Sequence, residues 1–358
     1  MAEEERKEPK KKLLTVSTSP HLTDRSTSKQ IMYEVVIGML PVTLWSIYLY
    51  RHMAVIVLLT CLAGCLGTEW LFNLARKRPQ TITDGSGIVT ALILGLSLPP
   101  TLPWWAALIG SVAAIGAAKM LFGGLGSNIF NPAMVGRAFL MACFGTMMTT
   151  WAMPFQTGVK ITYEDPAAAP SAITQPTPLA LAKDAIKHAA DPDIAEWNKQ
   201  SPDDVNIIIL DMFTGNMTVN GSTGETSALL WLIGGVFLLF RRTITYHIPL
   251  AVLGSSGVIA TAAWWANPEV YINPLAHLCG GGLMMCAFFI ATDLVTCPLS
   301  KRGRVIFGIG VGTLIMLIRL KGGYPEGVMY AVLLMNAMTP LLDRWTRPKP
   351  LGGHVSAD

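Results

Sequence analysis

Apolar residues in this chain do not alternate with polar ones. They come in blocks, most of them close to the roughly 20 residues that cross a bilayer as a helix. The blocks cover residues 30–50, 53–75, 86–99, 103–121, 132–150, 227–241, 246–265, 276–295, 305–319 and 326–342. The third (GSGIVTALILGLSLPP) and the ninth are short for full crossings. Short or Gly/Pro-interrupted segments often mark cavities where unwound backbone is sheltered by protein. A single long polar stretch, residues 151–226, divides the blocks five and five.

The pattern predicts an all-α polytopic membrane protein of about ten transmembrane helices in two five-helix repeats. Residues 1–29 form an N-terminal tail, 30–150 the first repeat, 151–226 an external loop, 227–342 the second repeat and 343–358 a C-terminal tail. The halves echo each other. Pro99 stands 24 residues before Gly123 and Pro298 stands 24 before Gly322, and each Gly-Gly pair precedes a further apolar segment. An odd number of spans per half makes such a repeat inverted in the membrane, a plan that places a site at the repeat interface.

Composition agrees: 51% of the residues are hydrophobic and 14% charged, where soluble domains carry about 25% charged residues. Charge sets the orientation. With the N-terminus in the cytoplasm, most Lys and Arg fall inside: the tail, Arg76–Arg78, Lys119, Arg137, Arg241–Arg242, Lys301–Arg304 and Arg344–Lys349. Both termini are then cytoplasmic and loop 151–226 is external. The tail has no apolar stretch like a signal-peptide core, so the first span reads as an uncleaved anchor. The loop holds ten acidic residues against four lysines and attracts cations or a basic partner. Within it, PLALAKDAIKHAA can lie on the membrane as an amphipathic helix.

The six cysteines lie in or beside apolar runs, and no C-x-x-C pair exists. This chain alone therefore offers no iron–sulfur cluster, and no metal site is expected. There is no strand–GxGxxG–helix unit for a dinucleotide, and no nucleic-acid partner is expected.

Several stretches carry candidate chemistry. GGLGSNIFNPAM (Gly123–Met134) has glycines whose exposed N–H groups can hold an anion or the polar edge of a planar ring; the plain alternative is a turn in which Asn131-Pro132 starts a helix. Asp84 in DGSG is either a helix cap or functional. Asp293, Glu69 and Glu34 are carboxylates inside or at the ends of apolar runs, expensive there unless paired or hydrated. They are the candidates for an ion path. In GSTGETSALL (Gly221–Leu230), Ser222 and Glu225 fit a capping box at the start of the sixth span, and a phosphate could sit at that positive helix end.

Read together, SPHLTDRSTSKQIM, GGLGSNIFNPAM, RRTITYHIP, CAFFIATDLVTCPLSKRGRVIFG and GGYPEGVMYAVLLMNAMTPLLDRWTRP resemble the D subunit of the Rnf complex, an ion-translocating ferredoxin:NAD oxidoreductase, from about Ser19 to Pro350. The B subunit of the sodium-pumping NADH:quinone oxidoreductase is a more distant match. The resemblance implies a translocase subunit in a bacterial or archaeal cytoplasmic (inner) membrane, with no complete activity alone. It relays electrons through an FMN joined by a phosphoester to a threonine, and through a second flavin (riboflavin), and couples them to Na⁺ or H⁺ movement. A flavin transferase makes the phosphoester. The other partners are the remaining Rnf subunits, including an external flavin-bearing one, and membrane lipid.

The attachment motif maps to Ser171–Leu179, with Thr177 as acceptor and Thr174, Gln175 and Leu179 around it. Ser171 stands where the motif has an acid, and Pro176 where it has a small residue. Thr226, beside Glu225 in STGET, is the rival acceptor. Asp84, Asn131, Pro132 and Asp293 are the expected surroundings of the riboflavin. Two alternatives remain: the quinone-reducing subunit, and a flavin-free channel or solute transporter of the same repeat plan.

Overall fold

The computed structural model describes residues 27–152, 154, 177, 179–180, 209–215, 221–268, 270–324 and 326–347. Among them the regular structure is entirely helical. The attachment motif up to Pro176, with Thr174 and Gln175, and the amphipathic helix expected after it lie outside the described residues apart from Thr177, Leu179 and Ala180.

In chain order the helices are α1 (Ser28–Tyr50), α2 (His52–Ala75), α3 (Ser86–Ser97), α4 (Trp104–Val112), α5 (Pro132–Cys143), α6 (Gly145–Met148), α7 (Ala228–Phe240), α8 (His247–Ala266), α9 (Pro274–Cys279), α10 (Leu283–Met285), α11 (Lys301–Lys321) and α12 (Val328–Trp345). Two continue as π-helix, α4 through Ala113–Met120 and α10 through Cys286–Ile290. Helices α1, α2, α8 and α11 are long and apolar enough to cross a membrane. Leu44, Leu59, Leu250, Val258 and Phe240 point outward and exposed, as a lipid-facing surface requires.

Two details differ from the sequence-based expectation. The ninth apolar block is a full-length helix: α11 begins at Lys301, with the Ser300 side chain accepting from Gly303 N. The cap lets the helix start inside the basic cluster, whose long side chains reach outward from its first turn. The interrupted segment is instead the eighth, where α9 stops at Gly280 and the chain resumes as α10 and its π turn. The two Gly-Gly pairs also differ. Gly123 and Gly124 have φ of 123° and 108°, a left-handed backbone that favours glycine, whereas Gly322 caps α11 at φ −74°.

Small residues let the helices approach closely, the usual packing device in lipid. A Cβ on Gly234 of α7 would lie 2.1 Å from the Gly38 carbonyl oxygen of α1. Gly308 and Gly312 of α11 pack the same way against Ala251, Val252 and Ser255 of α8.

The connection leading into α7 is buried against the bundle. Thr223 N and Oγ1 donate to Leu98 O at 2.9 and 2.7 Å, and Gly224 N donates to Leu96 O at 2.7 Å. Thr223 and Gly224 thereby satisfy carbonyls at the C-terminal end of α3, where the chain breaks at Pro99-Pro100. The capping box also resolves differently. Glu225 does accept from Ser222 N, at 3.4 Å, but α7 starts at Ala228 with the Ser227 side chain as its cap.

Candidate functional site

A cleft of about 720 Å³, its open mouth included, lies at the end of the bundle where α1, α3, α5, α7 and the two π segments meet. This end carries the basic connections that the positive-inside rule places in the cytoplasm. The walls are apolar, from Val35, Ile93, Leu238, Ile244, Phe288 and Phe289; the polar groups are Ser86, Thr90, Lys119, Asn128, Asn131, Thr243, Thr292 and Asp293. Both π segments reach it. The first, closed by Leu121 N donating to Gly116 O, carries Lys119; the second, closed by Ala291 N donating to Cys286 O, carries Phe288 and Phe289. π turns inside α-helices concentrate at functional sites.

Of the residues expected around a second flavin, Asn131, Pro132 and Asp293 line this cleft, and Asp84 accepts from Ser86 Oγ at 2.5 Å just behind it. Each also has a local structural task. Asn131 caps α5, accepting from Ala133 N and Met134 N, and its Nδ2 reaches Ile290 O at 3.5 Å. Asp84 accepts from Ser86 N at 2.8 Å, but the cap position of α3 is Gly85, at φ 83°, so Asp84 stands one residue before the cap that the sequence suggested. Asp293 accepts from Val295 N and Thr296 Oγ1 in its own turn. Asn128 is different. It is buried and its Oδ1 has no hydrogen-bond partner among the described residues. A ligand with an N–H donor would satisfy it, as the imide edge of an isoalloxazine would, while the apolar walls fit the rest of such a ring system.

Behind the cleft lies a polar network that the sequence revealed only in part. Lys119 Nζ is 2.9 Å from Glu69 Oε1 and 2.6 Å from Ser86 Oγ, and Thr81 Oγ1 donates to the same Glu69 oxygen at 2.6 Å. Asn73 Nδ2 donates to Thr81 Oγ1 at 3.0 Å. Lys119, counted above as a cytoplasmic marker, is buried inside the bundle. A lysine within AAIGAAKMLF was itself the available signal, since a cation in an apolar run needs a partner. Glu34, the third ion-path candidate, is held at the same end by Arg241, at 2.6 Å, and by Gln30 and Thr243.

A second charged cluster sits on the other side of the bundle, beneath Leu179. Arg137 of α5 meets Glu326 at 2.6 Å. Arg319 of α11 donates to the carbonyls of His277 and Gly280 at 2.6 and 2.9 Å. Glu225 brings its carboxyl up to that of Glu326. Burial raises the Glu225 pKa well above the usual carboxylate range, and the Glu326 charge beside it adds to this. Burial acts the same way on Glu326, but Arg137 and Arg319 outweigh it and hold that carboxyl below its ordinary value. The pair thus favours protonation at Glu225 over Glu326.

Leu179 packs over this cluster: a Cβ on Gly280 or Gly281 would meet it at 3.3 or 2.9 Å. Thr177 is buried, with its Oγ1 accepting from Ala180 N at 3.2 Å. Thr226 is buried too, and its Oγ1 has no partner among the described residues. Sequence reasoning placed Arg137 on the cytoplasmic side and did not single out Glu326, Arg319 or His277 for the site. No spacing joins Arg137 to a carboxylate 189 positions away.

Comparison with known proteins matches residues 15–352 to the NQR2, RnfD, RnfE family. The chain is 39% identical over 346 residues to the D subunit of the proton-translocating ferredoxin:NAD(+) oxidoreductase complex of Clostridium ljungdahlii, covering 96% of this chain and 97% of that protein. It is 40% identical to the D subunit of the ion-translocating oxidoreductase complex of Stutzerimonas stutzeri, covering 92% and 94%. It is 37% identical to the D subunit of the Na(+)-translocating ferredoxin:NAD(+) oxidoreductase complex of Acetobacterium woodii, covering 95% of each.

Proposed function

This chain belongs to the NQR2, RnfD, RnfE family, and from that premise we propose that it is the D-type membrane subunit of an ion-translocating ferredoxin:NAD oxidoreductase complex. It passes electrons between flavins within the membrane, in contact with the other subunits. On this reading the fold is two inverted five-helix repeats in a bacterial or archaeal cytoplasmic membrane with both termini inside. Thr177 carries an FMN phosphoester placed by a flavin transferase, and the cytoplasmic-side cleft takes the second flavin, riboflavin.

The observation that carries the reading is the convergence of Asn131, Pro132 and Asp293 on one apolar-walled cleft that also holds Asn128, whose Oδ1 has no partner among the described residues. In the cleft, Asn128 and Asn131 would hold the polar edge, Phe288 and Phe289 would exclude water, and Lys119 would set the local charge. The bound flavin would supply one-electron chemistry; the protein supplies position and potential. The Thr177 hydroxyl is sealed in the closed structure, so attachment precedes the packing of Leu179 onto Gly280–Gly281. The same sealing favours a fixed distance between the tethered ring and the helices.

Two assays test this. The chain is co-expressed with its flavin transferase as wild type, Thr177→Ala and Thr226→Ala, denatured, and read by in-gel flavin fluorescence. Loss only in Thr177→Ala is expected; loss only in Thr226→Ala moves the site to the start of α7, and a dark wild type removes the covalent flavin. Acid extraction of the native complex, with riboflavin separated from other flavins by chromatography, should release one riboflavin per chain, and less from Asn128→Leu. Unchanged flavin content in Asn128→Leu would move the second site elsewhere. Relatives bear names with different cations, proton in one and Na⁺ in another, so the ion is assigned by transport assay in vesicles.

A further inference from the structure

Lys119 and Glu69 form a buried ion pair with side chains 3% and 0% exposed. Burying two charges is costly, and such a pair is weak evidence for a stability role. Its geometry suggests a different task. Lys119 has three N–H groups, and the structure pairs them with Glu69 Oε1 and Ser86 Oγ, leaving one. Lys119 and Ser86 line the cleft, whereas Glu69 lies behind them. On the far side, Glu69 Oε2 is buried with no partner among the described residues.

We propose that Lys119 is a charge switch between the cleft and Glu69: negative charge placed in the cleft draws the ammonium toward it and frees the Glu69 carboxylate to take a monovalent cation. This inference rests on the cleft being a flavin site. The bookkeeping is one for one. One electron enters the cleft from a one-electron carrier of the complex, an iron–sulfur protein or a neighbouring flavin. One ammonium shifts its hydrogen bonds from carboxylate to cleft, and one Na⁺ or H⁺ replaces it beside Glu69. Oxidation of the cleft reverses each step and expels the cation. The motion needed is small, because Lys119 already touches both sides through Ser86. Hard monovalent cations prefer oxygen ligands, which Glu69, Thr81 and Ser86 supply. Among the described residues, the titratable groups that face the pair include Cys65, on the same helix as Glu69, Asp84, reached through Ser86, and Asp293, which lines the cleft with Lys119.

The test is redox titration of the non-covalent flavin by its visible absorbance in the purified complex, at graded NaCl with choline replacement and at graded pH. Flavin content is measured in every sample. In the wild type the midpoint potential should rise by up to about 59 mV per tenfold rise in the coupling cation, the value for one cation per electron. Glu69→Gln, which keeps Lys119, should abolish that dependence. Lys119→Met should abolish it and also lower the potential, while Lys119→Arg, which keeps the charge, should retain part of it. A wild-type potential independent of both Na⁺ and pH overturns the switch, and so does a full dependence in Lys119→Met with its flavin in place. Where Lys119→Met fails to hold flavin, Glu69→Gln decides: an intact dependence there overturns the proposal. A wild type with no extractable flavin overturns the cleft assignment itself, and the switch with it.

Discussion

The two buried charge clusters are built in opposite ways. The Lys119–Glu69 network lies within the first half of the chain; its ionic partners are 50 positions apart, and Thr81, Asn73, Ser86 and Asp84 surround them with short-range hydrogen bonds. The cluster on the far side draws on α5, the buried connection before α7, the break after α9, the end of α11 and the turn before α12. The first is local and faces a cleft. The second joins the halves and is covered by Leu179. A charge pair beside open volume can exchange partners, whereas one that ties distant segments together fixes their arrangement. We therefore read the first as working and the second as holding.

The largest effect that separates them should come from Arg137→Met. It leaves Glu326 buried without its closest cation, and stranding one member of a buried pair costs about 3–5 kcal/mol. The thermal midpoint in detergent should fall sharply, and adding Glu326→Gln should recover much of the loss. A fall no larger than that of an exposed-site control would show that the cluster does not hold the halves. Next is Gly234→Ala, whose Cβ would lie 2.1 Å from the Gly38 carbonyl. Helix α1 lines the cleft at one end and receives the buried connection at the other through Ser46, which donates to Thr223 O at 2.5 Å. A shift of α1 should therefore disturb both regions at once, for about 1–3 kcal/mol, with loss of extractable flavin as the second readout.

Asn131→Ala should cost about 1 kcal/mol through the lost α5 cap and reduce flavin content as well, since the same residue lines the cleft. Asn131→Asp, which keeps the cap oxygen, should restore stability without restoring the amide donor. The smallest effect is a slope. Glu225 holds its proton more tightly folded than unfolded, so its contribution is full below the ordinary carboxylate range and lost as pH rises through its raised value. Glu326 works the other way: its contribution is present above the ordinary range and lost as pH falls through its lowered value. Glu225→Gln should flatten the alkaline side of a melting-temperature profile and leave the acid side. A profile flattened on the acid side instead would reverse the assignment of proton and charge.

The apolar blocks were enough for the all-helical class and for the four long apolar helices, because a chain in lipid must satisfy its backbone within each segment and needs long apolar runs to do so. The family motifs, spread over nearly the whole length, fixed the kinship. Asn131-Pro132 was legible as a helix start, because a cap is a matter of two or three adjacent residues, whereas at α3 the cap fell on Gly85 and not on Asp84. The sequence could also flag Glu69 as a charge in need of a partner. It could not say that the partner is Lys119, nor that a carboxylate 189 positions away waits for Arg137.

Other features were decided only by tertiary structure. The π turns at Ala113–Met120 and Cys286–Ile290 leave no mark in hydrophobic periodicity, yet they bring Lys119, Phe288 and Phe289 to one cleft. The eighth segment breaks at Gly280–Gly281 where Leu179, Arg319 and Glu326 crowd the backbone, while α11, which reads as short, runs its full length because Ser300 caps it within a basic cluster. The physical reason is the same throughout. Burial and capping are local and repeat along the chain, so composition records them; charge pairing and cavity shape depend on which distant surfaces meet, and only the packed bundle specifies that.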